Sequence, residues 1–301
     1  MTRSRYFVFL PVLLCALLWG SAFPSIKSVY AHWAEAGLEI DLWDRWLFAG
    51  VRFIVAGAAL LLISRNPLKE WRATPKRHLV VLSLSQTLMQ YIFFYLALSL
   101  SSGSLMALMG STGSFWWMIL APIMLGVAWP GWRQWCCLAL GAVGVGLAVY
   151  APGAGAGNPV LGASFVLIAT FMGAVGVVIF SKIKPTMGAR AASGYGLLLG
   201  GLGLALMGFP SWGRLAVLFD AYVLWMTLWL VFVSATAFTV WNHLSTIYPV
   251  PLLASCRFLI PVSGVCLSLL FLPEESAGWG LLVGGVIVIG SMLYAAQSKR
   301  D

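Results

Sequence analysis

Three cationic side chains, Lys27, Arg52 and Arg257, stand inside long apolar runs, and no Asp or Glu lies in the middle of any such run. Fixed positive charge without fixed negative charge is suited to holding a carboxylate, and it leaves no acid–base pair for bond cleavage. A second signal is a polar and aromatic stripe. Ser83, Gln86, Thr87, Gln90, Tyr91 and Phe94 recur at i, i+3, i+4, i+7, i+8 and i+11, one face of a helix. On that face Gln86 and Gln90 would hold an amino or carboxylate group while Tyr91 and Phe94 supply apolar wall; the alternative is interhelical hydrogen bonding that serves packing.

Other candidates follow from helical spacing and depth. Trp19, Phe23 and Lys27 repeat at four-residue intervals. Trp19 and Phe23 would line a cavity, and Lys27 either snorkels to the surface or neutralises a carboxylate. Ser234, Phe238, Trp241, Asn242 and Ser245 form a stripe with Thr236, Thr239 and His243 on another side, and Trp241 is placed near the pocket. His243 is a structural residue or a proton carrier. Arg257, four residues before Pro261, clamps a carboxylate or pairs with helix carbonyls, whereas Arg52 reads as a snorkelling structural charge near the end of its run. Trp19, Trp116, Trp117 and Trp241 lie at mid-depth, where stacking on an aromatic ligand adds roughly 0.5–1.5 kcal/mol per pair. Trp33, Trp43, Trp46, Trp71, Trp129, Trp132, Trp135, Trp212, Trp225 and Trp279 lie near run ends, where an aromatic belt is expected.

The elements that must position these groups follow from composition. Of 301 residues 61% are hydrophobic and 9% charged, against about 25% charged in soluble domains, and the mean hydropathy is +0.93. A soluble globule, disorder, coiled coil and disulfide scaffold are all excluded. Cutting at charged, Pro-rich and Gly-rich interruptions predicts ten spans, at about 8–32, 46–64, 79–99, 103–128, 134–151, 160–181, 191–209, 223–244, 250–272 and 279–296. A cleavable signal peptide is disfavoured, because the first apolar run continues to about His32.

With the N-terminus cytoplasmic, Arg3, Arg5, Arg65, Lys69, Arg72, Lys76, Arg77, Arg133, Lys182, Lys184, Arg190, Lys299 and Arg300 all fall inside, against Arg45 and Arg214 outside. That asymmetry predicts both termini in the cytoplasm and explains the net charge of +9 without nucleic acid. The cysteines read as small membrane hydrophobes, and no HExxH, paired histidine site or GxSxG points to a metal or a catalytic nucleophile.

A shift of 144 positions lays Trp135 on Trp279, Gly141 on Gly285, Gly146 on Gly290 and Tyr150 on Tyr294, and also Ser101 on Ser245, Leu108 on Leu252 and Ser111 on Ser255. Two halves, 1–152 and 158–301, are therefore predicted, each a five-helix repeat. An odd number of spans inverts the second half, which is the architecture of many secondary transporters. The expected fold is an all-α integral membrane protein of ten transmembrane helices in two inverted repeats.

Leu17-Leu18-Trp19-Gly20-Ser21-Ala22-Phe23-Pro24, and Leu259-Ile260-Pro261 followed 13 residues later by Glu274, resemble EamA-type members of the drug/metabolite transporter superfamily. The course from Leu244 to Glu275 is similar to that family's second half. The first half departs from it, placing Trp117 and Pro130 where the Pro and Glu are expected, so Trp117 would occupy an altered midplane position. The length, the 15 Trp and the aromatic span four look most like aromatic amino-acid exporters of the YddG type. The resemblance implies an alternating-access exporter in the cell inner membrane, with the lipid bilayer and a small-molecule substrate as partners and no cofactor, metal or nucleic acid. A single chain suffices as the transport unit. Carriage of other metabolites or hydrophobic drugs is the alternative, a channel the remoter one, and an enzyme is not expected. The implied substrate site is Trp19, Phe23, Gln86, Gln90, Tyr91, Phe94, Trp117, Trp241 and Arg257, with Lys27 and His243 as charge or proton sites.

Overall fold

The computed structural model describes residues 6–150, 157–248, 253, 257, 259–274 and 278–297, and these are all-helical with no strand among them. The N-terminal and C-terminal basic residues Arg3, Arg5, Lys299 and Arg300, the repeat positions Leu252 and Ser255, the start of the ninth predicted span, Cys256 and Glu275 lie outside the described residues. The main helices are α1 (Tyr6–Glu35), α2 (Leu42–Leu62), α3 (Lys76–Leu100), α4 (Gly103–Leu125), α5 (Trp132–Tyr150), α6 (Pro159–Ile183), α7 (Ala189–Met207), α8 (Ala221–Ile247), α9 (Leu259–Phe271) and α10 (Trp279–Gln297). A short surface helix, Pro67–Ala73, precedes α3, and a 3-10 turn, Phe209–Arg214, follows α7. Helices α1, α2, α3, α4, α6 and α8 are long and apolar enough to cross a bilayer; α7 joins them if its continuation, bent by 81°, is counted as one span. Shorter apolar helices lie within α5, α9 and α10.

Local chemistry sets the helix ends. Asp41 caps α2 by accepting from the Asp44 amide at 3.0 Å while the Asp44 carboxylate accepts from the Asp41 amide at 3.1 Å, a reciprocal box that satisfies two otherwise orphaned donors. Asn158 with Pro159 opens α6, and Asp220 opens α8 by accepting from the Val223 amide at 2.9 Å. Gly126, at φ +67°, closes α4 in a left-handed conformation that costs glycine no Cβ clash.

In lipid no hydrophobic force distinguishes helix from tail, so packing rests on close backbone approach. The α2–α7 seam does this on both sides. A Cβ on Gly57 would come to 2.4 Å of the Leu198 amide nitrogen, and one on Gly50 to 2.5 Å of that of Ala205. From the other side, Gly201 and Gly208 meet Ile54 and Leu47 at 2.8 and 2.7 Å. Helices α5 and α10 pack the same way through Gly144 and Gly284, the latter's Cβ falling 2.3 Å from the Gly144 carbonyl. At one end of the seam Arg214 donates to the fully buried Asp44 carboxylate at 2.6 Å and to the Glu39 carbonyl at 2.9 Å.

Further contacts join α1 to α9, α8 and α4, α6 to α4 and α3, α9 to α4, α8 to α2 and α7, and α3 to α7 and α2. Helix α9 sits against α1 through Gly20, whose Cβ would meet the Ser263 hydroxyl at 2.6 Å, and Ser263 donates to the Ala16 carbonyl at 2.6 Å. Two of the tryptophans near helix ends are also buried within the bundle. Trp33 is 1% exposed and donates its indole N–H to the Leu218 carbonyl at 3.0 Å, and Trp46 is 7% exposed.

Candidate functional site

Helices α1, α3, α4, α6 and α8 surround a cavity near the middle of their length, closed on one side by Arg257, Ile260 and Pro261. The space between them is open at its mouth and, with that open solvent counted, amounts to about 1140 Å³.

Two helices are irregular where they border it. Helix α3 takes a π-helical course over Leu84–Met89, a widening of the coil that is frequent at functional sites because it re-aims side chains. Its consequence is a split of the predicted stripe. Gln86, Gln90, Tyr91 and Phe94 face the cavity, while Ser83 and Thr87 turn onto α7, where a Cβ on Gly200 would lie 2.3 Å from that of Thr87. Missing side chains on α6 make space for the amides: a Cβ on Gly173 would meet Gln90 Oε1 at 2.8 Å, and one on Gly176 would meet the Gln86 Cβ at 2.7 Å.

Helix α4 is interrupted by a turn at Gly110–Ser111, and Gly110, Ser111, Gly113 and Ser114 all line the cavity. Gly110 and Ser111 keep right-handed helical angles, and the Ser111, Gly113 and Ser114 amides bond back to the Leu108, Gly110 and Ser111 carbonyls, so the chain tightens there without a sharp bend. The Ser111 and Ser114 hydroxyls are buried without a hydrogen-bond partner. Buried polar atoms are almost always paired, so these two hydroxyls are unusual on the cavity wall, although other orphaned atoms, such as Trp46 Nε1 and Ser268 Oγ, lie away from it.

The aromatic lining falls in two groups of touching rings. Trp19 stands 5.5 Å from Phe238 edge-on and 5.6 Å from Trp241, and Phe23 stands 5.6 Å from Phe94. Arg257 lies over the Trp241 ring at 5.7 Å, and its Nη2 would touch a Cβ on Gly113 at 3.7 Å. Asn242 faces away, donating to the Ser193 hydroxyl on α7 at 2.9 Å.

Eight of the residues singled out from sequence therefore line one space: Trp19, Phe23, Gln86, Gln90, Tyr91, Phe94, Trp241 and Arg257. Trp117 is not among the residues that line it. It packs with Trp116, Leu120, Phe171 and Val175 in the contact between α4 and α6. A large aromatic at mid-depth serves helix packing as well as a pocket, and here the packing contact claims it. Trp116 belongs to the same contact, its indole donating to the Leu167 carbonyl at 3.0 Å. Lys27 is half-buried on α1 and His243 exposed on α8, and neither borders the cavity.

The sequence reading missed Arg52. It is 2% exposed, it lines the cavity, and it sits mid-way along α2 instead of snorkelling from its end. The overlooked signal was Asp41-Leu42-Trp43-Asp44, a capping box that starts the helix one turn before the predicted Trp46. Among the described residues, no Asp or Glu lines the cavity.

No family model and no curated protein matches this sequence. A solved structure titled only "Crystal structure of protein" is similar in fold, with a TM-score of 0.64 at 16% identity over 99% of this chain and 100% of its own.

Proposed function

We propose that the chain is an alternating-access carrier of the drug/metabolite transporter superfamily, EamA-type, that exports amino acids, aromatic ones first, across the cell inner membrane. In this reading ten helices form two inverted five-helix repeats, 1–152 and 158–301, with both termini cytoplasmic. The observation that carries the function is the mid-depth cavity itself, in which an aromatic wall from α1, α3 and α8 faces Arg257, two glutamines and two unpartnered hydroxyls. Aromatic rings stack on such a wall, and a guanidinium beside hydroxyl donors holds a carboxylate.

Support for the repeat comes from the packing. Exchanging helices one to five with six to ten converts the α1–α9 contact into α6–α4, α1–α8 into α6–α3 and α2–α8 into α7–α3, and each partner contact occurs. The α2–α7 and α5–α10 seams map onto themselves. These pairs support two halves related by a pseudo-twofold axis, an arrangement that would let one set of contacts rock between mirror-related states. The tightened turn of α4 at the cavity agrees with it, since helix irregularities at mid-membrane often border transport sites.

The deciding experiment is counterflow. Proteoliposomes preloaded with unlabelled phenylalanine or tryptophan should accumulate the labelled compound saturably and transiently. Uptake that fails to saturate and shows no counterflow would point to a channel instead, and absence of any flux by folded protein would reject the amino-acid substrate.

A further inference from the structure

The short helix Pro67–Ala73, between α2 and α3, is pinned to the connection between α6 and α7. The Glu70 carboxylate accepts from the Gly188 amide at 2.7 Å, and the Thr74 and Thr186 hydroxyls lie 3.0 Å apart. The Trp71 ring stands 4.7 Å from that of Tyr195 on α7, and Arg190 donates to the Ile63 carbonyl at the end of α2 at 2.9 Å. A helix of 7 residues is too short to hold itself by propensity, so these contacts fix its rotation. Glu70 and Trp71, with Pro67 at i, i+3 and i+4, make up its half-buried face.

The other face, Leu68, Lys69, Arg72 and Ala73, is exposed. Lys69 and Arg72 stand at i and i+3, neighbours on a helix surface, and among the described residues no carboxylate pairs with either. The acid of this helix, Glu70, is turned inward onto Gly188. Leu68 is 69% exposed, and Leu62 and Ile63, where the membrane-length helix α2 ends, are 86% and 63% exposed. One exposed leucine means little. Three large apolar side chains so close in the chain, interleaved with cations, are the pattern of a segment lying at the boundary of acyl chains and headgroups. Arg65, Lys76 and Arg77, also exposed, add positive charge on either side.

We propose that the exposed face of Pro67–Ala73 is a docking surface for the anionic headgroups of membrane phospholipids, with Leu68 in the acyl boundary and Lys69 and Arg72 on the phosphate. Through Glu70, Thr74 and Trp71, lipid bound there braces the α2–α7 unit against the bilayer surface. The surface is separate from the solute cavity and does not depend on the substrate assigned to it.

Thermal stabilisation of the full chain in dodecyl maltoside by added lipid tests this. At low salt, anionic dioleoyl phosphatidylglycerol should half-saturate at least about fivefold below zwitterionic dioleoyl phosphatidylcholine, the worth of one cation at an anionic surface. That preference should shrink as added salt screens it. Lys69→Gln with Arg72→Gln should reduce the preference at least about fivefold. Lys182→Gln with Lys184→Gln, which takes the same charge from exposed positions at the end of α6, should keep it within about twofold. If the first double variant does not fold, the wild-type ranking and Leu68→Gln, which should weaken both lipids, decide. Equal affinity for the two lipids would overturn the proposal. Equal loss in the two double variants would also overturn it, since the attraction would then be diffuse charge alone. Glycerol 1-phosphate, the headgroup chemistry without acyl chains, should not compete even at about tenfold excess; full displacement by it would mean a site for soluble anions and would likewise overturn the membrane surface.

Discussion

The α2–α7 seam and the cavity wall lie in the same bundle and solve opposite problems. Along the seam, glycines from both helices bring backbone against backbone, and Gly57 stands so close to Leu198 that even a methyl group has no place. At the cavity, aromatics, amides and cations hold helices apart and leave space, and hydroxyls remain unpaired. Neither burial nor hydrophobicity separates the two regions, since both are buried. The difference is side-chain volume at the facing positions: small residues fuse two helices into one rigid unit, and large rigid ones prop open a site.

Breaking the seam should have the largest effect. Gly57→Leu forces two backbones apart and is expected to cost about 3 kcal/mol or more, seen as loss of the monodisperse folded protein on size-exclusion chromatography in detergent. Breaking the cavity should spare the fold and remove function. Arg257→Gln should lower counterflow at least tenfold with little change in melting temperature, as deleting one charge-assisted hydrogen bond costs about 1.5–3 kcal/mol. Unaltered exchange in that variant would take Arg257 out of the site.

Paired tryptophan substitutions sharpen the contrast. Trp241→Ala, in the wall, should raise the half-saturating substrate concentration several-fold, from the roughly 0.5–1.5 kcal/mol of lost stacking. Trp117→Ala, in the α4–α6 contact, should leave that constant within about twofold while lowering the melting temperature. The reverse pattern would exchange their roles.

The smallest effect lies outside both regions. The Val223 amide and then His32, at 2.6 Å, hold the Asp220 carboxyl below its usual 3.8. A depressed carboxyl contributes stability above its ordinary value and loses it as pH falls through the lower folded one. Asp220→Asn should therefore melt about a degree below wild type at pH 7, and the gap should close below pH 3.8, since an exposed pair contributes little.

The sequence carried most of the cavity because polar groups in hydrocarbon have few options. Gln86 and Gln90 must face protein, and the 3.6-residue period then brings Tyr91 and Phe94 with them. The π-helical turn that diverts Ser83 and Thr87 leaves no mark in periodicity. Trp117 was placed by analogy between halves, and a shift in sequence does not say which neighbour a side chain meets. Arg52 was misread through a helix start set at an apolar residue when the polar cap lay one turn earlier, an error of about 6 Å along the axis. The all-helical character and the long apolar spans followed from composition alone, whereas the close seams depended on which glycines meet across helices far apart in the chain.

That last feature bears on how the protein is made. The glycine face of α2 finds its partner in α7, with Gly57 meeting Leu198 and Gly50 meeting Ala205 from far along the chain. Synthesis at about 5–20 residues per second leaves α2 waiting on the order of ten seconds before its other half exists. During that wait a helix with Arg52 at its centre must stay in the membrane without the neighbours that bury it, against an insertion cost of about 2.5–3.5 kcal/mol for that one residue. Assembly is thus a matter of timing: the first half is held, incomplete, until translation delivers the strip of glycines it was built to meet.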